Sequence, residues 1–294
     1  MSERVPATEG VHAGNPQLDL LPTSELIALL VGDQRDAVAA VAVQSAAIAR
    51  AVDEIAARLR CGGALHYVGA GTSGRLATLD AAEMPPTFGT APDLVRAHVA
   101  GGEAALVRAI EGAEDDAQAG AAVMRDAQPC DAAVGISASG GAPYVVAAIE
   151  AARARRAYTV ALSSVSSSRL VRAAEHAIVV ETGAEALTGS TRLKAGTAQK
   201  IALNAISTAV MVRLGKVYGN SMVDVVANNE KLRRRALRLV TELAGVDERR
   251  ARGLLEAAGG RVKAAIVMER KRCDAAAASE LLERRGGSLR AALE

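Results

Sequence analysis

Five short apolar segments alternate with helix-like segments between residues 64 and 181, and this alternation most limits the folds open to the chain. The apolar segments begin at residues 64, 94, 132, 158 and 176 and read ALHYVG, LVRAHVAG, AAVGIS, YTVALSS and HAIVVE. Strands that alternate with helices form a parallel sheet that helices cover on both faces. The sequence therefore predicts an α/β fold with a five-stranded parallel sheet.

Helical patterns fill the intervals between these strands and extend beyond them. Gly62 and Gly63 end the pattern before the first strand, and Pro85 with Pro86 are expected to stop the one after it. The predicted helices are 23 or 24 to 30, 36–60, 75–83, 103–127, 143–155, 168–175 and 191–218.

The last seventy or so residues contain no convincing strand and are rich in Ala, Leu and Arg. Glycines are expected to break them into several helices. The breaks are predicted at Gly245, Gly259-Gly260 and Gly286-Gly287. The sequence thus predicts an N-terminal arm with helices (1–60), a sheet domain (61–221) and an all-helical appendage (222–294).

Composition limits the classes of protein that fit. Half of the 294 residues are apolar, but with one Phe and no Trp the core must consist of small, closely packed side chains. The net charge of +2 argues against a dedicated nucleic-acid binder. Three scattered cysteines favour neither a disulfide framework nor a zinc site and fit a reducing cytoplasm. No apolar run is long enough to span a membrane.

A glycine-rich loop follows the first predicted strand. Gly69-Ala-Gly71-Thr-Ser-Gly74 matches G-x-G-x-x-G, which can indicate a dinucleotide site or merely a turn of the chain. A dinucleotide site requires an acidic residue at the end of the next strand, where Val99 to Gly102 stand instead. A strand leading into such a loop at a helix start makes an anion site. A second loop with hydroxyl groups, SASGG at 137–141, follows the third strand and is expected at the same edge of the sheet.

Six motifs occur in an order that resembles the N-acetylmuramic acid 6-phosphate etherase family, from Thr8-Glu9-Gly10 nearly to the C-terminus. They are VGAGTSGRL, LDAAEMPPTFG, IEGAEDD, ISASGGAPYV, TGSTRLKAGTAQK and GKVYGNSMVDVVANNEKL. The resemblance implies a flavodoxin-like sugar isomerase (SIS) domain at 61–221. It implies a cytoplasmic, homodimeric lyase that converts N-acetylmuramic acid 6-phosphate to N-acetylglucosamine 6-phosphate and D-lactate, without metal or organic cofactor, in the recycling of cell-wall sugars.

The resemblance also implies two catalytic carboxyl groups. Glu83 would protonate the departing lactyl oxygen, and Glu114 would remove the proton at sugar C2. Glu83 precedes Met-Pro-Pro on an Ala-rich helix, so we expect it to be partly buried with a raised pKa. The residues alone leave Glu111, Asp115 and Asp116 as plausible as Glu114.

The remaining candidates are substrate contacts. The two hydroxyl loops supply hydrogen-bond donors for a phosphate, and a third polar loop could cap the helix behind it and contact an anion. For the lactyl carboxylate, Asn228, Asn229 and Lys231 are candidates. The predicted contacts are Gly71, Thr72, Ser73, Ser137, Ser139, Gly140, Ser190, Thr191 and Lys194.

Other features are expected to be structural. His66 lies in the middle of a buried strand and is expected to be a satisfied core histidine, while His12, His98 and His176 are expected to be isolated. The segment at about 244–268 resembles a ubiquitin-associated-like three-helix module. Two stretches, Gly141-Ala142 and Ser163–Ser166, depart from the family pattern near the ligand edge, which bears on substrate recognition.

Three other functions remain open at this point. A non-catalytic sugar-phosphate sensor would not need Glu83 and Glu114, and the related glucokinase regulator carries two such domains. A transcription regulator would need a helix-turn-helix module, which residues 1–60 lack. A sugar-phosphate isomerase is possible on fold alone.

Overall fold

The computed structural model describes residues 6–14, 17–225 and 230–294. They fall into two compact units: the first extends to Ala81 and resumes over Asp93–Ser207, and the second comprises Ala82–Pro92 and the described part of Thr208–Glu294. This division differs from the predicted boundary at 221/222. The three predicted domains stay predictions.

The first unit contains the predicted five-stranded parallel sheet, in the order β2-β1-β3-β4-β5. The inner strands β1, β3 and β4 are buried along their whole length, which explains why they read as continuous apolar runs. The predicted fold class is confirmed. The strands are β1 (Leu65–Gly69), β2 (Val95–Val99), β3 (Ala132–Ile136), β4 (Tyr158–Ser163) and β5 (His176–Val179).

Helices separate and flank these strands, and short 3-10 helices occur at Ala7–Glu9, Leu18–Leu20 and Ala113–Asp115. In chain order the α-helices up to residue 213 are α1 (Thr23–Asp33), α2 (Arg35–Val43), α3 (Ser45–Arg60), α4 (Gly71–Ala82), α5 (Met84–Phe88), α6 (Ala104–Val107), α7 (Ala117–Val123), α8 (Pro143–Ala154), α9 (Arg169–Ala173) and α10 (Lys194–Arg213). No helix in the described part of the chain is long and apolar enough to cross a membrane.

Three predicted helices were wrong in extent. The segment 36–60 is divided into α2 and α3 at Gln44, although no Gly or Pro stands there. The segment 103–127 is divided into α6, a 3-10 helix and α7: the backbone becomes extended at Arg108 after α6, and Gly112, with a left-handed φ of 71°, precedes the 3-10 helix. The helix predicted at 75–83 starts earlier and runs from Gly71 to Ala82 as α4, and Pro85 and Pro86 lie in the first turn of the next helix, α5, where their missing N–H groups are not needed.

The predicted helix 191–218 was also too long. After α10 the chain forms a short antiparallel hairpin of β6 (Val217–Tyr218) and β7 (Ser221–Met222). Its two-residue loop is Gly219-Asn220, a sequence typical of tight hairpins. The local turn signal therefore outweighed the apolar pattern.

Glycines occupy two positions of the first unit where neighbouring helices and strands approach most closely. A Cβ on Gly120 of α7 would overlap the carbonyl oxygen of Tyr144 on α8. A Cβ on Gly135 of β3 would come within 2.6 Å of Ile149 on α8. Helix and sheet therefore approach closely, which is how a core poor in aromatic side chains reaches native packing density.

The second unit contains α5, the end of α10, the hairpin and, in the described residues after 225, five further helices that share a core with the hairpin segment. The predicted breaks at Gly245, Gly259-Gly260 and Gly286-Gly287 are confirmed, and all five glycines have positive φ. Arg272, with φ of 53°, makes a further break that the sequence did not indicate. The ubiquitin-associated-like module stays a prediction. The helices are α11 (Glu230–Ala244), α12 (Glu248–Ala257), α13 (Val262–Lys271), α14 (Ala275–Arg284) and α15 (Leu289–Leu293).

A buried and a half-buried histidine form a pair on neighbouring strands. His66 is 4% exposed, and its Nδ1 lies 2.9 Å from Nε2 of His98 with nearly parallel rings. His98 was expected to be isolated, and this was wrong because the parallel register brings β2 beside β1. Burial, His66 and Arg96 together lower the pKa of His98 to about 4. Burial also lowers the pKa of His66, against the attraction of Asp131.

Because of this histidine pair, we expect the free energy of unfolding to decrease as the pH is lowered below about 6.5. In that range the unfolded chain takes up protons before the folded one does, so the free energy of unfolding decreases until about pH 4. Between pH 7.5 and 5.0 we expect a loss of about 1–2 kcal/mol, after discounting for the partial exposure of His98. Denaturant unfolding of the wild type and of His98→Gln measures it. An equal pH dependence of the two proteins would contradict the assignment.

Candidate functional site

Two loops lie where the order in which the chain adds strands to the sheet reverses, between β1 and β3. The chain adds β2 on one side of β1 and then β3 on the other, so the loops after β1 and β3 diverge to opposite faces and leave a crevice at the carboxyl edge. Ligands of open α/β sheets bind in such crevices. The loop 69–74 follows β1, and the loop 137–141 follows β3.

The first loop is tight because its glycines allow α4 to start against the strand end. A Cβ on Gly69 would come within 2.6 Å of the Gly74 nitrogen, and a Cβ on Gly74 within 2.6 Å of Val99. Gly71 opens α4 with φ of 52°. The first amides of a helix have no intrahelical partner, so the start of α4 can bind an anion.

The second loop presents two serine hydroxyls. Ser137 Oγ accepts a hydrogen bond from the Gly140 nitrogen at 3.1 Å, and Ser139 Oγ accepts one from the Gly141 nitrogen at 3.3 Å. Each oxygen is thereby oriented while its O–H remains able to donate. Gly140 has φ of 65°, and a Cβ there would overlap Ser168 Oγ, so no other residue fits.

Both loops line one cavity of about 430 Å³. This volume lies within the range usual for small-molecule sites. Of the predicted contacts, the structure brings Gly71, Thr72, Ser73, Ser137, Ser139 and Thr191 to the cavity, together with Glu114. Gly140, Ser190 and Lys194 are not among the lining residues. The described residues that line it are Glu9, Ala70, Gly71, Thr72, Ser73, Glu114, Asp115, Ile136, Ser137, Ala138, Ser139, Gly141, Ala142, Pro143 and Thr191.

The structure narrows the choice among the acidic residues after β2. Glu114 and Asp115 lie on the 3-10 helix Ala113–Asp115 and line the cavity, whereas Glu111 does not. Asp116 caps α7, since its Oδ1 accepts from the Ala119 nitrogen at 2.8 Å. Two of the four carboxylates therefore remain as candidates for a base in this cavity.

Glu9 is a third carboxylate in the lining, and it was not predicted as a site residue. It belongs to the 3-10 helix Ala7–Glu9 and reaches Gly189, where a Cβ would be 3.1 Å from its Oε2. The only signal in the sequence was the Thr-Glu-Gly start of the family resemblance.

Among the described residues that line the cavity there are three carboxylates but no lysine, arginine or histidine. A phosphate bound there by the described lining would be held by hydroxyl and backbone N–H donors. Such donors bind anions well when they are oriented in advance, as they are at helix N-termini and glycine loops.

Glu83 connects α4 to α5 and belongs to the second compact unit. Its side chain is exposed, so the expectation of partial burial was wrong for this chain. It is not among the residues that line the cavity.

Lys194 was predicted to contact the substrate, but its ammonium group is engaged elsewhere. It is 2% exposed and lies 2.8 Å from Asp33 Oδ1 and 3.2 Å from Asp36 Oδ2. Burial opposes its charge, yet these bonds raise the pKa of Lys194 above its usual value. His12 also bonds to Asp33, at 3.1 Å. Lys194 therefore ties the start of α10 to α1 and α2.

The predicted cap of α10 by Ser190 or Thr191 was wrong. Glu185 caps it instead: its carboxylate accepts from the nitrogens of Lys194 at 3.0 Å and Ala195 at 2.9 Å. Glu185 is fully buried, and burial raises its pKa against these hydrogen bonds. Glu185 lies nine positions before Lys194, so no local sequence signal indicated that it would cap α10.

Asn228, Asn229 and Lys231 stay predictions as contacts of the lactyl carboxylate. Asn228 and Asn229 lie outside the described residues. Lys231 is exposed on α11.

Comparison with known proteins supports this architecture. Residues 47–153 match the family model of the glucokinase regulatory protein N-terminal SIS domain, and residues 110–209 match the SIS domain model. The crystal structure of a putative phosphosugar isomerase involved in capsule formation from Bacteroides fragilis aligns with 68% of this chain. The alignment covers 95% of that protein, with a TM-score of 0.53 and 21% sequence identity. At this identity the likeness shows the fold alone.

Curated relatives match the chain along nearly its whole length. The N-acetylmuramic acid 6-phosphate etherase of Gloeobacter violaceus is 48% identical over 301 residues, which cover 100% of this chain and 98% of the relative. The etherase of Symbiobacterium thermophilum is 51% identical over 261 residues, which cover 88% of this chain and 87% of the relative. That of Streptomyces avermitilis is 48% identical over 292 residues, covering 97% and 93%. The chain belongs to the N-acetylmuramic acid 6-phosphate etherase family.

Proposed function

We propose that the protein cleaves the D-lactyl ether of N-acetylmuramic acid 6-phosphate, giving N-acetylglucosamine 6-phosphate and D-lactate. The observation that carries this function is the crevice cavity in which Glu114 lies beside two hydroxyl-bearing loops. It occurs in a chain that matches curated etherases from end to end. The reaction would belong to the recycling of cell-wall amino sugars.

The chemistry needs acid and base groups but no hydride carrier and no nucleophilic side chain. When the sugar ring opens, C1 becomes an aldehyde, and the C2 proton becomes acidic. A base removes this proton, the C3–O bond to lactate breaks, and an acid protonates the departing oxygen. Water then adds at C3 of the unsaturated intermediate, and a proton returns to C2.

In this scheme Glu114 is the base and Glu83 the acid. Glu114 lies in the same cavity as the hydroxyl loops, which supports its contact with the sugar. The role of Glu83 rests on its place in the family motif LDAAEMPPTFG. Its exposed side chain is accessible to a ligand or to another protein chain.

The hydroxyl loops are proposed to bind the phosphate. Ser137 and Ser139 have O–H groups available to donate, and Ser73 and Thr72 lie in the first turn of α4. With no cation in the described lining, each of these donors contributes a substantial share of phosphate affinity.

Ser139→Ala is expected to raise KM about tenfold and to leave kcat nearly unchanged, because it removes one hydrogen bond to a charged group. Steady-state kinetics of lactate release measures both constants. Ser45→Ala, at the exposed start of α3 and outside the cavity, is the matched control. An unchanged KM in Ser139→Ala would remove this serine from the phosphate site.

A non-catalytic sugar-phosphate sensor is the second candidate, favoured by the match of residues 47–153 to the glucokinase regulatory protein domain. The full-length similarity to etherases and the carboxylate in the cavity favour the enzyme. Incubation of the purified protein with N-acetylmuramic acid 6-phosphate and an assay for D-lactate distinguishes them. Binding of the sugar phosphate without lactate release would favour the sensor.

The enzyme is proposed to be a homodimer. α1 is an 11-residue helix in which no residue is buried, although it is mostly apolar. Ile27 is 54% exposed and Val31 66% exposed, one helical turn apart on the same face. A second copy of the chain would cover this face. The apolar residues of α1 are Leu26, Ile27, Ala28, Leu29, Leu30 and Val31.

Replacing both Ile27 and Val31 by Asp is expected to convert dimers to monomers, since two charges would have to be buried in the interface. Light scattering coupled to size exclusion measures the mass, which for the wild type should be twice 30.1 kDa. Ser24→Asp on the same helix serves as the control for added charge. A wild-type mass of one chain would contradict the proposal.

The protein is proposed to work in the cytoplasm. Its three cysteines are free thiols, as is usual in reducing compartments. Its proposed substrate is a phosphorylated sugar, and phosphorylated sugars are retained inside cells.

A further inference from the structure

Ser73 differs from the other cavity serines in the partner of its side chain. Its Oγ lies 2.9 Å from Oε1 of Gln199, a residue 126 positions later on α10. Both side chains are buried, Ser73 at 8% and Gln199 at 1% exposure. If Gln199 Oε1 accepts from Ser73, the single hydroxyl hydrogen of Ser73 points away from any ligand.

The amide nitrogen of Gln199 is the unsatisfied atom of this pair. Gln199 Nε2 is buried and has no hydrogen-bond partner among the residues that the structure describes, which leaves its two N–H donors unpaired there. Unpaired buried donors are costly and rare in native structures. The oxygen and nitrogen of a side-chain amide exchange places by rotation about one bond, and their assignment follows from the hydrogen-bond network.

We propose that Gln199 is a positioning residue that turns Ser73 into a phosphate donor. In the rotated amide, Nε2 donates to Ser73 Oγ, and the Ser73 hydroxyl donates into the cavity. This inference rests on the proposed sugar-phosphate site and assigns one more residue to it.

The rotated arrangement gives Ser73 the same bonding pattern as its two neighbours in the cavity. Ser137 and Ser139 each accept a fixed N–H at Oγ, which leaves the hydroxyl hydrogen to donate. For Ser73 the fixed N–H comes from the Gln199 amide. An ionised phosphate accepts hydrogen bonds, and the described lining offers it no cationic side chain, so binding depends on each hydroxyl being turned to donate.

Gln199 is held rigidly enough for this role. Gly196, one turn earlier on α10, would place a Cβ 3.4 Å from the Thr72 side chain, so α10 packs directly on the first turn of α4. Eight residues after Gln199, Ser207 donates to Asp80 of α4 at 3.2 Å. The two helices are therefore joined on both sides of the Ser73–Gln199 contact.

Binding of N-acetylglucosamine 6-phosphate, measured by titration calorimetry, tests the inference without requiring catalysis. Gln199→Met keeps the side-chain length but cannot donate, and it is expected to raise Kd five- to tenfold. Ser73→Ala is expected to raise Kd about tenfold. The double variant should bind as Ser73→Ala does, because Gln199 acts only through Ser73. N-acetylglucosamine without phosphate should show none of these differences.

Gln199→Glu provides a second readout that loosened packing would not produce. An ionised carboxylate can only accept from Ser73, so Kd should be raised most at high pH and should recover as the pH falls and the carboxyl group becomes a donor. Ser207→Ala, which removes the other hydrogen bond between the same helices, controls for packing: its Kd relative to the wild type should not share the pH dependence of Gln199→Glu.

Additive effects of Ser73→Ala and Gln199→Met, or wild-type binding by Gln199→Met, would overturn the inference. So would a Kd of Gln199→Glu that does not vary with pH. Lactate release is assayed on the same wild-type preparation. If binding and the Ser73–Gln199 coupling persist without lactate release, the assignment of Gln199 stands and only the lyase activity is refuted.

Discussion

Glu83→Gln is expected to lower kcat by two to four orders of magnitude, while Kd for N-acetylglucosamine 6-phosphate changes less than about threefold. The amide is nearly the same size as the carboxyl group but cannot deliver a proton to the departing lactyl oxygen, and general acid catalysis contributes about this much. Removal of the C2 proton by the base does not require Glu83.

Deuterium exchange separates the two steps. In D₂O, substrate recovered from Glu83→Gln should carry deuterium at C2, because the base still works although lactate does not leave. Glu150→Gln, an exposed glutamate on α8, is the matched control and should retain full turnover. Near-normal kcat in Glu83→Gln would exclude the acid role.

Glu114→Gln should also lower kcat by at least two orders of magnitude, but with the opposite exchange result. Without the base, recovered substrate should contain no deuterium at C2. Lactate assays and proton NMR of the recovered sugar measure the two quantities. The neighbouring Asp115→Asn is the sharpest control, since Asp115 lines the same cavity.

The result would also decide between the two carboxylates. If Asp115→Asn abolished exchange and Glu114→Gln did not, Asp115 would be the base. If both variants exchanged normally, the base would lie elsewhere, and Glu9, the third carboxylate of the cavity, would be the next residue to test.

The sheet was predictable from the sequence because its determinants are local. Each strand is a short apolar run bounded by Gly or polar residues, and a buried parallel strand such as β3 needs little more. Helix ends were less predictable. The hairpin after α10 depends on Gly219-Asn220 outweighing an apolar pattern, and the break at Gln44 has no local cause.

The difference between local and long-range determinants also explains which site residues could be predicted. The loops carrying Ser73 and Ser137 were found because each directly follows a strand, so chain order alone brings them to one edge. Lys194 was misassigned because its partner Asp33 lies 161 residues away. Gln199 and Glu185 were missed for the same reason, since neither pattern nor spacing predicts which buried polar groups will pair across the fold.

The glycines at the closest crossings have a consequence for how this chain tolerates sequence change. At Gly120 and Gly135 even one methyl group meets a neighbour, a backbone oxygen in the first case and Ile149 in the second. A large core residue can be trimmed or exchanged for another of similar volume, but these positions admit no alternative without moving a helix. In a saturation mutagenesis screen we expect the least permissive interior positions to be occupied by the smallest residues. Evolutionary drift in this protein would then proceed mainly through its larger side chains.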